Sequence, residues 1–353
     1  MSSSIAIILP AYNEAATIEV VILSFHKALP QAQIFVIDNN SSDGTGAIAR
    51  ATFGKIAAPG RVIHETRQGK GHALRRAFQT IDADVYLLAD ADLTYPAERA
   101  RELIEPILRD EADMVVGDRH SGGHYLEQNK RPLHGLGNRL VNRLINYFFE
   151  ANLKDIMSGY RAFSRTFVKT CPVLAPGFQV ETDITLHALD KRFRIREMAV
   201  EYLDRPSGSV SKLNTVTDGA RVLFTIFQIL RYYKPFAFFG SIALCAMLLG
   251  LLASIPVFDD WIAYRYIYHV PLALLAAALE IVAFIMLAVG LILDSIAHQQ
   301  KMNFELMLLS KDHSRPDRHC EERSDAAIQE VREHGSAIAR SDSDAATRPA
   351  APR

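Results

Sequence analysis

Four short stretches concentrate side chains able to handle a charged substrate together with a metal ion. Asp90-Ala91-Asp92 sets two carboxylates at i and i+2. On an irregular loop both can reach a hard divalent cation, which can bridge the oxygens of a diphosphate. Such a cation neutralises charge on a departing nucleoside diphosphate as a Lewis acid. Lys70 stands between two glycines in GKGHALRRA, just before a predicted helix, a setting suited to a phosphate. PAYNE, Pro10 to Glu14, and DNNSSDGT, Asp38 to Thr45, are two further polar stretches. Taken singly, each reads equally well as turn chemistry, because Asn, Asp, Ser and Gly satisfy turn backbones. A Walker A loop and a GxGxxG fingerprint are both absent.

The elements that must position these residues follow from the hydrophobic pattern. Residues 5–9, 34–37, 61–64, 85–89 and 114–116 read as strands, and 15–28, 45–51, 71–80 and 97–109 as helices. Strand–helix alternation predicts an α/β domain with a mainly parallel, Rossmann-like sheet, whose ligands bind outside the carboxyl ends of the strands. PAYNE follows the first strand, DNNSSDGT the second and DAD the fourth. Three polar loops at strand ends facing one crevice favour a site over turn chemistry.

Composition adds a membrane. The chain has 353 residues, 49% hydrophobic and 22% charged, with a formal net charge of −1. That near-neutrality gives no reason to expect nucleic acid, and three scattered cysteines exclude a disulfide framework. A mean hydropathy of +0.05 is high for so many charges. Residues 236–258 carry no charge over 23 positions, and 270–292 only Glu280. Each is about 34 Å long as a helix, enough for a ~30 Å hydrocarbon core, so a transmembrane hairpin is expected. Glu280 near mid-membrane is open to a proton or lipid contact, to a helix–helix or dimer hydrogen bond, or to a protonated carboxyl. Arg221, Arg231 and Lys234 precede the first span and Lys301, Lys311 and Arg315 follow the second. The positive-inside bias places both ends, and the domain before them, in the cytoplasm; MSSSIAIILP has no signal-peptide pattern. Residues 213–234 read as an amphipathic juxtamembrane helix with a stripe of Leu213, Val216, Ala220, Leu223, Phe227 and Leu230. It suits the membrane interface or packing on the domain. The 311–353 tail has only three branched aliphatic residues and is expected to be disordered; HCEERSDAAIQ within it resembles translated repetitive DNA. The divisions are thus 1–212, 213–234, 235–310 and 311–353.

ILPAYNE, VIDNNSSDGT, GKG and ADADLTYP, in this order, resemble the family 2 glycosyltransferases of GT-A fold. VVGDRH, DIMSGYRAF, GFQVETD and YLDRPSGSVSKL resemble the dolichyl- or polyprenyl-phosphate sugar synthase branch, which the hairpin also fits. The resemblance covers about residues 4–235.

It implies a multi-pass inner (cytoplasmic) membrane enzyme that moves a hexose, with inversion, from a UDP- or GDP-sugar to polyprenyl phosphate. Pro10, Tyr12, Glu14, Asp38, Asp43, Lys70 and Asp90-Ala91-Asp92 would bind the nucleotide-sugar donor, with Asp90 and Asp92 holding Mg²⁺ or Mn²⁺. Arg119, Arg131 and Arg205 would meet the lipid phosphate, beside Ser209, Ser211 and Lys212, because guanidinium groups bind phosphate bidentately. A phosphate acceptor is already an anion and needs positioning more than deprotonation. Glu181 or Asp183 would act as base for a hydroxyl acceptor; for a phosphate they would orient the sugar or order the acceptor loop. Tyr160 and Arg161 would frame the acceptor side. Homo-oligomerisation is left open. Competing readings are transfer to another lipid hydroxyl such as ceramide or diacylglycerol, and a non-catalytic nucleotide-sugar-binding scaffold. A sugar-1-phosphate nucleotidyltransferase is disfavoured, because PAYNE stands where its glycine- and arginine-rich loop would be.

Overall fold

The computed structural model describes residues 3–56, 59–121, 132–175, 179–203 and 226–313. Its strands are β1 (Ile5–Ala11), β2 (Gln33–Asp38), β3 (Gly60–His64), β4 (Val85–Leu88), β5 (Met114–Asp118), β6 (Arg161–Ser164) and β7 (Ile195–Ala199). They form one sheet in the order β3-β2-β1-β4-β6-β5-β7. All pairings are parallel except those of β6, which runs antiparallel to both β4 and β5. The helices are α1 (Ile18–Ala28), α2 (Thr45–Ile56), α3 (Lys70–Thr80), α4 (Ala100–Leu108), α5 (Pro132–Phe149), α6 (Arg165–Thr170), α7 (Val180–Asp190), α8 (Pro235–Tyr264) and α9 (Val270–His313).

β1 is an almost unbroken buried apolar run, the pattern of a central strand covered on both faces. Its side chains divide by the two-residue period of a strand. Ile5, Ile7 and Leu9 join Ile18, Ile22 and Phe25 of α1 and Leu103 and Ile104 of α4 on one face. Ala6 and Ile8 join Leu74 and Phe78 of α3, Phe167 of α6 and Ile184 of α7 on the other. The expected α/β sandwich is present, and its topology brings the carboxyl ends of β1, β2 and β4 side by side.

A third apolar cluster joins α5, α7 and the helical residues 226–233: Val141, Ile145, Ile156, Leu186 and Ile229, with Phe149 and Tyr233 against it. This settles the packing of 226–233 and shifts its register. Ile226, Ile229 and Tyr233 face the cluster, whereas Phe227 is exposed and meets Phe238 instead. The sequence stripe through Phe227 and Leu230 lies one position away from the buried one. Residues 213–225 of that expected helix fall outside the described residues.

α8 and α9 are each long and apolar enough to cross a membrane. Both outrun their expected spans of 236–258 and 270–292, because α8 carries on through Trp261 and Tyr264 and α9 continues into polar sequence. Asp260 closes their connection: one carboxylate oxygen accepts the backbone N–H groups of Tyr268 (2.9 Å) and His269 (3.1 Å). Ala243, Ala246 and Gly250 on α8 and Ala276 and Ala283 on α9 are buried, the small-residue contact that lets apolar helices approach closely. Glu280 uses this contact: a Cβ on Gly250 would lie 2.6 Å from its Oε1. That oxygen is buried and has no hydrogen-bond partner among the described residues.

Candidate active site

The strand-end loops are tied to one another by their own polar side chains. Asn13, after β1, takes a left-handed conformation (φ 55°), as do Asn40 after β2 (φ 61°) and Leu93 after β4 (φ 64°). For leucine that conformation costs about 1 kcal/mol or more, and such strain collects at functional turns. Asn13 Oδ1 accepts the Ser42 N–H (2.9 Å), and its own N–H donates to Ser41 Oγ (3.1 Å). Asp43 caps α2 through the Thr45 N–H (3.0 Å) and accepts the Ala15 N–H with its other oxygen (2.9 Å). Burial works against its ionisation, but these hydrogen bonds outweigh it and hold the carboxyl below its ordinary value. Thr17 Oγ1 donates to the Ala91 carbonyl (2.7 Å), joining the PAYNE side to the DAD loop.

Asn39 makes the next link. Its side-chain amide donates to the Arg67 carbonyl (2.7 Å) and accepts the Gly69 N–H (2.7 Å). Gly69 has φ 133°, a conformation that favours glycine, and it starts α3 with Lys70 as the first residue. The middle of the set is a buried ion cluster. Lys70 Nζ lies 2.5 Å from Asp90 Oδ1 and 2.6 Å from Glu181 Oε1, the latter in the first turn of α7. Burial alone would lower the lysine pKa; the Asp90 and Glu181 carboxylates overcome it and hold the ammonium charged well above the usual lysine range.

Gly159 closes the site from the β6 side. A Cβ there would sit 2.9 Å from Asp90 Oδ2 and 3.0 Å from Lys70 Nζ. Its N–H donates to the Tyr95 hydroxyl (2.9 Å), and Tyr95 stacks on Tyr160 at 5.0 Å. Asp92 is buried, and one of its oxygens accepts the Thr94 N–H (3.2 Å) and hydroxyl (2.5 Å). Among the described residues no three His, Cys, Asp or Glu side chains converge to form a metal cage. Two hard carboxylates suit instead an ion that takes the rest of its shell from substrate phosphates and water. Gly159 allows the Lys70–Asp90 pair to lie directly against the turn before β6.

The remaining expected residues are placed as follows. Pro10 and Asp38 sit on β1 and β2, with Pro10 opposite Ile37 and Ala11 opposite Asp38. Asp38 Oδ2 is 3.5 Å from His64 Nδ1. The Glu14 N–H donates to Thr45 Oγ1 (2.9 Å), and Tyr12 is half-buried between these loops in sequence. Arg119 grips Asp155 bidentately (2.7 and 2.9 Å), with its guanidinium 5.5 Å from the Tyr202 ring. Asp183 is turned to the backbone of Leu174 and Ala175, and burial raises its pKa. Arg161 is fully buried: it donates to the carbonyls of Ser158 (2.8 Å) and Ile156 (2.5 Å) and to Thr185 Oγ1 (2.8 Å). It fixes the 156–160 turn that carries Gly159. Arg131, Arg205, Ser209, Ser211 and Lys212 lie outside the described residues. Asn39, Tyr95, Asp155 and Gly159 are structural partners of the site that sequence reasoning did not single out. For Asn39 the signal was its place inside a polar strand-end segment, and for Gly159 its place in DIMSGYRAF.

Residues 6–171 match the sequence model of the family described as Glycosyl transferase family 2. Glycosyltransferase AglJ of Haloferax volcanii is 30% identical over 307 residues, 85% of this chain and 96% of that protein. The chain belongs to glycosyl transferase family 2. A second family 2 relative, the polyprenol monophosphomannose synthase of Mycolicibacterium smegmatis, is 29% identical over 223 residues, 59% of this chain and 80% of that one. The crystal structure of glucosyl-3-phosphoglycerate synthase from Mycobacterium tuberculosis superposes with a TM-score of 0.51 at 24% identity, covering 65% of this chain and 80% of that one. At that identity the likeness concerns the fold, and it agrees with the GT-A-like sheet described above. This family 2 glycosyltransferase is therefore an enzyme of sugar transfer, and the Lys70–Asp90–Glu181 cluster is its candidate site.

Proposed function

We propose that the chain transfers a hexose, with inversion, from a nucleoside-diphosphate sugar to a polyprenyl phosphate held in the membrane by the α8–α9 hairpin. The donor would lie across the loops after β1, β2 and β4, with Asp90 and Asp92 as ligands of Mg²⁺ or Mn²⁺. Such an ion would stabilise the negative charge of the leaving diphosphate. Support for a divalent ion comes from the glucosyl-3-phosphoglycerate synthase structure with Mn²⁺ and UDP, which superposes at a TM-score of 0.50. Support for the acceptor comes from the polyprenol monophosphomannose synthase and the undecaprenyl-phosphate mannosyltransferase of Micrococcus luteus, 26% identical over 209 residues.

The observation that carries the phosphate acceptor over a lipid hydroxyl is the engagement of both candidate bases. Glu181 is ion-paired with Lys70, and Asp183 faces backbone N–H groups. A phosphate monoester needs no base; it needs alignment and neutralisation. α7 also supplies proximity to the lipid. Glu181 lies in its first turn, and Leu186 and Leu189 pack with Ile229 and Tyr233 at the root of the hairpin. That is about 12 Å along the helix. The flanking basic residues orient the hairpin so that the catalytic sheet is cytoplasmic.

Membranes containing the full chain, given labelled UDP- and GDP-hexoses with Mg²⁺ or Mn²⁺, are expected to form an acid-labile, chloroform-soluble product. A glycolipid stable to mild acid would instead support the hydroxyl acceptor, and no labelled lipid from any donor would overturn the proposal.

A further inference from the structure

The Lys70 ammonium touches the very carboxylate that the proposed reaction needs for its metal. Nζ is 2.5 Å from Asp90 Oδ1 and 2.6 Å from Glu181 Oε1, and the lysine side chain is only 11% exposed. Its placement is built in, not incidental. Lys70 starts α3 immediately after Gly69, whose φ of 133° favours glycine and whose N–H is held by Asn39 Oδ1 at 2.7 Å. Opposite, Gly159 leaves the space that the ion pair occupies: a Cβ would come within 3.0 Å of Nζ and 2.9 Å of Asp90 Oδ2.

We propose that Lys70 is a resident cation that occupies Asp90 in the donor-free enzyme and gives it up only when a nucleoside diphosphate arrives with its metal. This rests on the reading of Asp90 and Asp92 as metal ligands. Two cations on one Asp90 carboxylate repel each other strongly in a buried site. The donor removes that conflict because its diphosphate offers Nζ new anionic oxygens, while Glu181 keeps hold of the ammonium from the other side. Free metal ion without nucleotide gains no such compensation. Lys70 thus makes metal binding conditional on the donor, and Glu181 is the positioning residue that keeps the lysine in the site during the exchange.

The test is Mn²⁺ binding to the purified full-length chain in detergent, read by the electron paramagnetic resonance signal of free Mn²⁺, with and without UDP or GDP. Wild type is expected to bind Mn²⁺ weakly alone and far more tightly with a nucleoside diphosphate. Lys70→Met is expected to bind nucleotide-free Mn²⁺ about tenfold or more tighter than wild type, because a cation in contact with a ligating carboxylate has been removed. Lys70→Met/Glu181→Gln keeps the buried charge balance and serves where the single variant does not fold; the same gain is expected. Adding Asp92→Ala to either should abolish it. Nucleotide-dependent binding by wild type with no gain in the folded lysine variants would overturn the exchange while sparing the metal assignment. Absence of Mn²⁺ binding by wild type even with nucleotide would overturn both.

Discussion

The Lys70 ammonium and the Glu181 carboxylate lie 2.6 Å apart, joining the first turn of α3 to the first turn of α7 across the ends of the central strands. Glu181 is buried here, and the lysine ammonium is the cation that faces its carboxylate. That pairing changes its expected chemistry. A carboxylate turned to a neighbouring ammonium is turned away from an acceptor proton, and its contribution passes through Lys70.

Glu181→Gln is therefore expected to lower kcat by about ten- to a hundredfold without deleting a limb of the pH–rate profile, since no proton transfer is lost. Steady-state rates between pH 5 and 9 with a polyprenyl phosphate acceptor check this. Loss of the acidic limb in the variant would restore Glu181 as a base.

Gly159→Ala separates the site from the fold. Gly159 is not in the left-handed region, so its backbone accepts alanine, yet the new Cβ meets Asp90 Oδ2 and Lys70 Nζ at 2.9 and 3.0 Å. Transfer should fall by about a hundredfold, as expected when a catalytic arrangement is displaced by a fraction of an ångström or more. The melting temperature in detergent should move little. A large drop in melting temperature with unchanged specific activity of the folded fraction would contradict this.

The polar loops were legible in sequence because each interrupts a buried apolar strand at its carboxyl end, as PAYNE does after Ile5–Leu9. What joins them was not. Glu181 and Lys70 are far apart in the chain, and nothing local to either predicts a contact. β6 escaped because it is four residues long and opens with Arg161, a residue that reads as surface until its three acceptors are seen. α7 is buried on most sides, with Val180, Thr182, Ile184, Thr185, Leu186 and Ala188 all inside, so it lacks the one-sided stripe that marks a surface helix. The hairpin was plain from apolar length alone; its ends were not, since α9 continues as a helix into polar sequence.

Arg161→Met should test the scaffold role of that buried guanidinium. Removing it leaves the Ile156 and Ser158 carbonyls and the Thr185 hydroxyl short of a donor in a buried place. A cost of about 3 kcal/mol or more is expected, seen as a lower midpoint in denaturant, with Arg161→Lys recovering only part because an ammonium cannot reproduce the planar fork.

Asp155 provides the pH test. Burial would raise its pKa, but the bidentate Arg119 hydrogen bonds and charge prevail and hold it below its ordinary value. A carboxyl depressed in the folded state stabilises above its unfolded pKa, and that contribution is lost as pH falls through the folded one. With only 1% of the Asp155 side chain and 11% of Arg119 exposed, breaking the pair by Asp155→Ala at pH 7 should cost about 3–5 kcal/mol. Asp155→Asn keeps the shape and removes the charge, so its deficit against wild type should be full at pH 7 and shrink as pH drops below about 4. Paired denaturation curves from pH 7 to pH 3 would show this convergence. A deficit that stayed constant across the range would mean that Arg119 is not what holds Asp155 ionised.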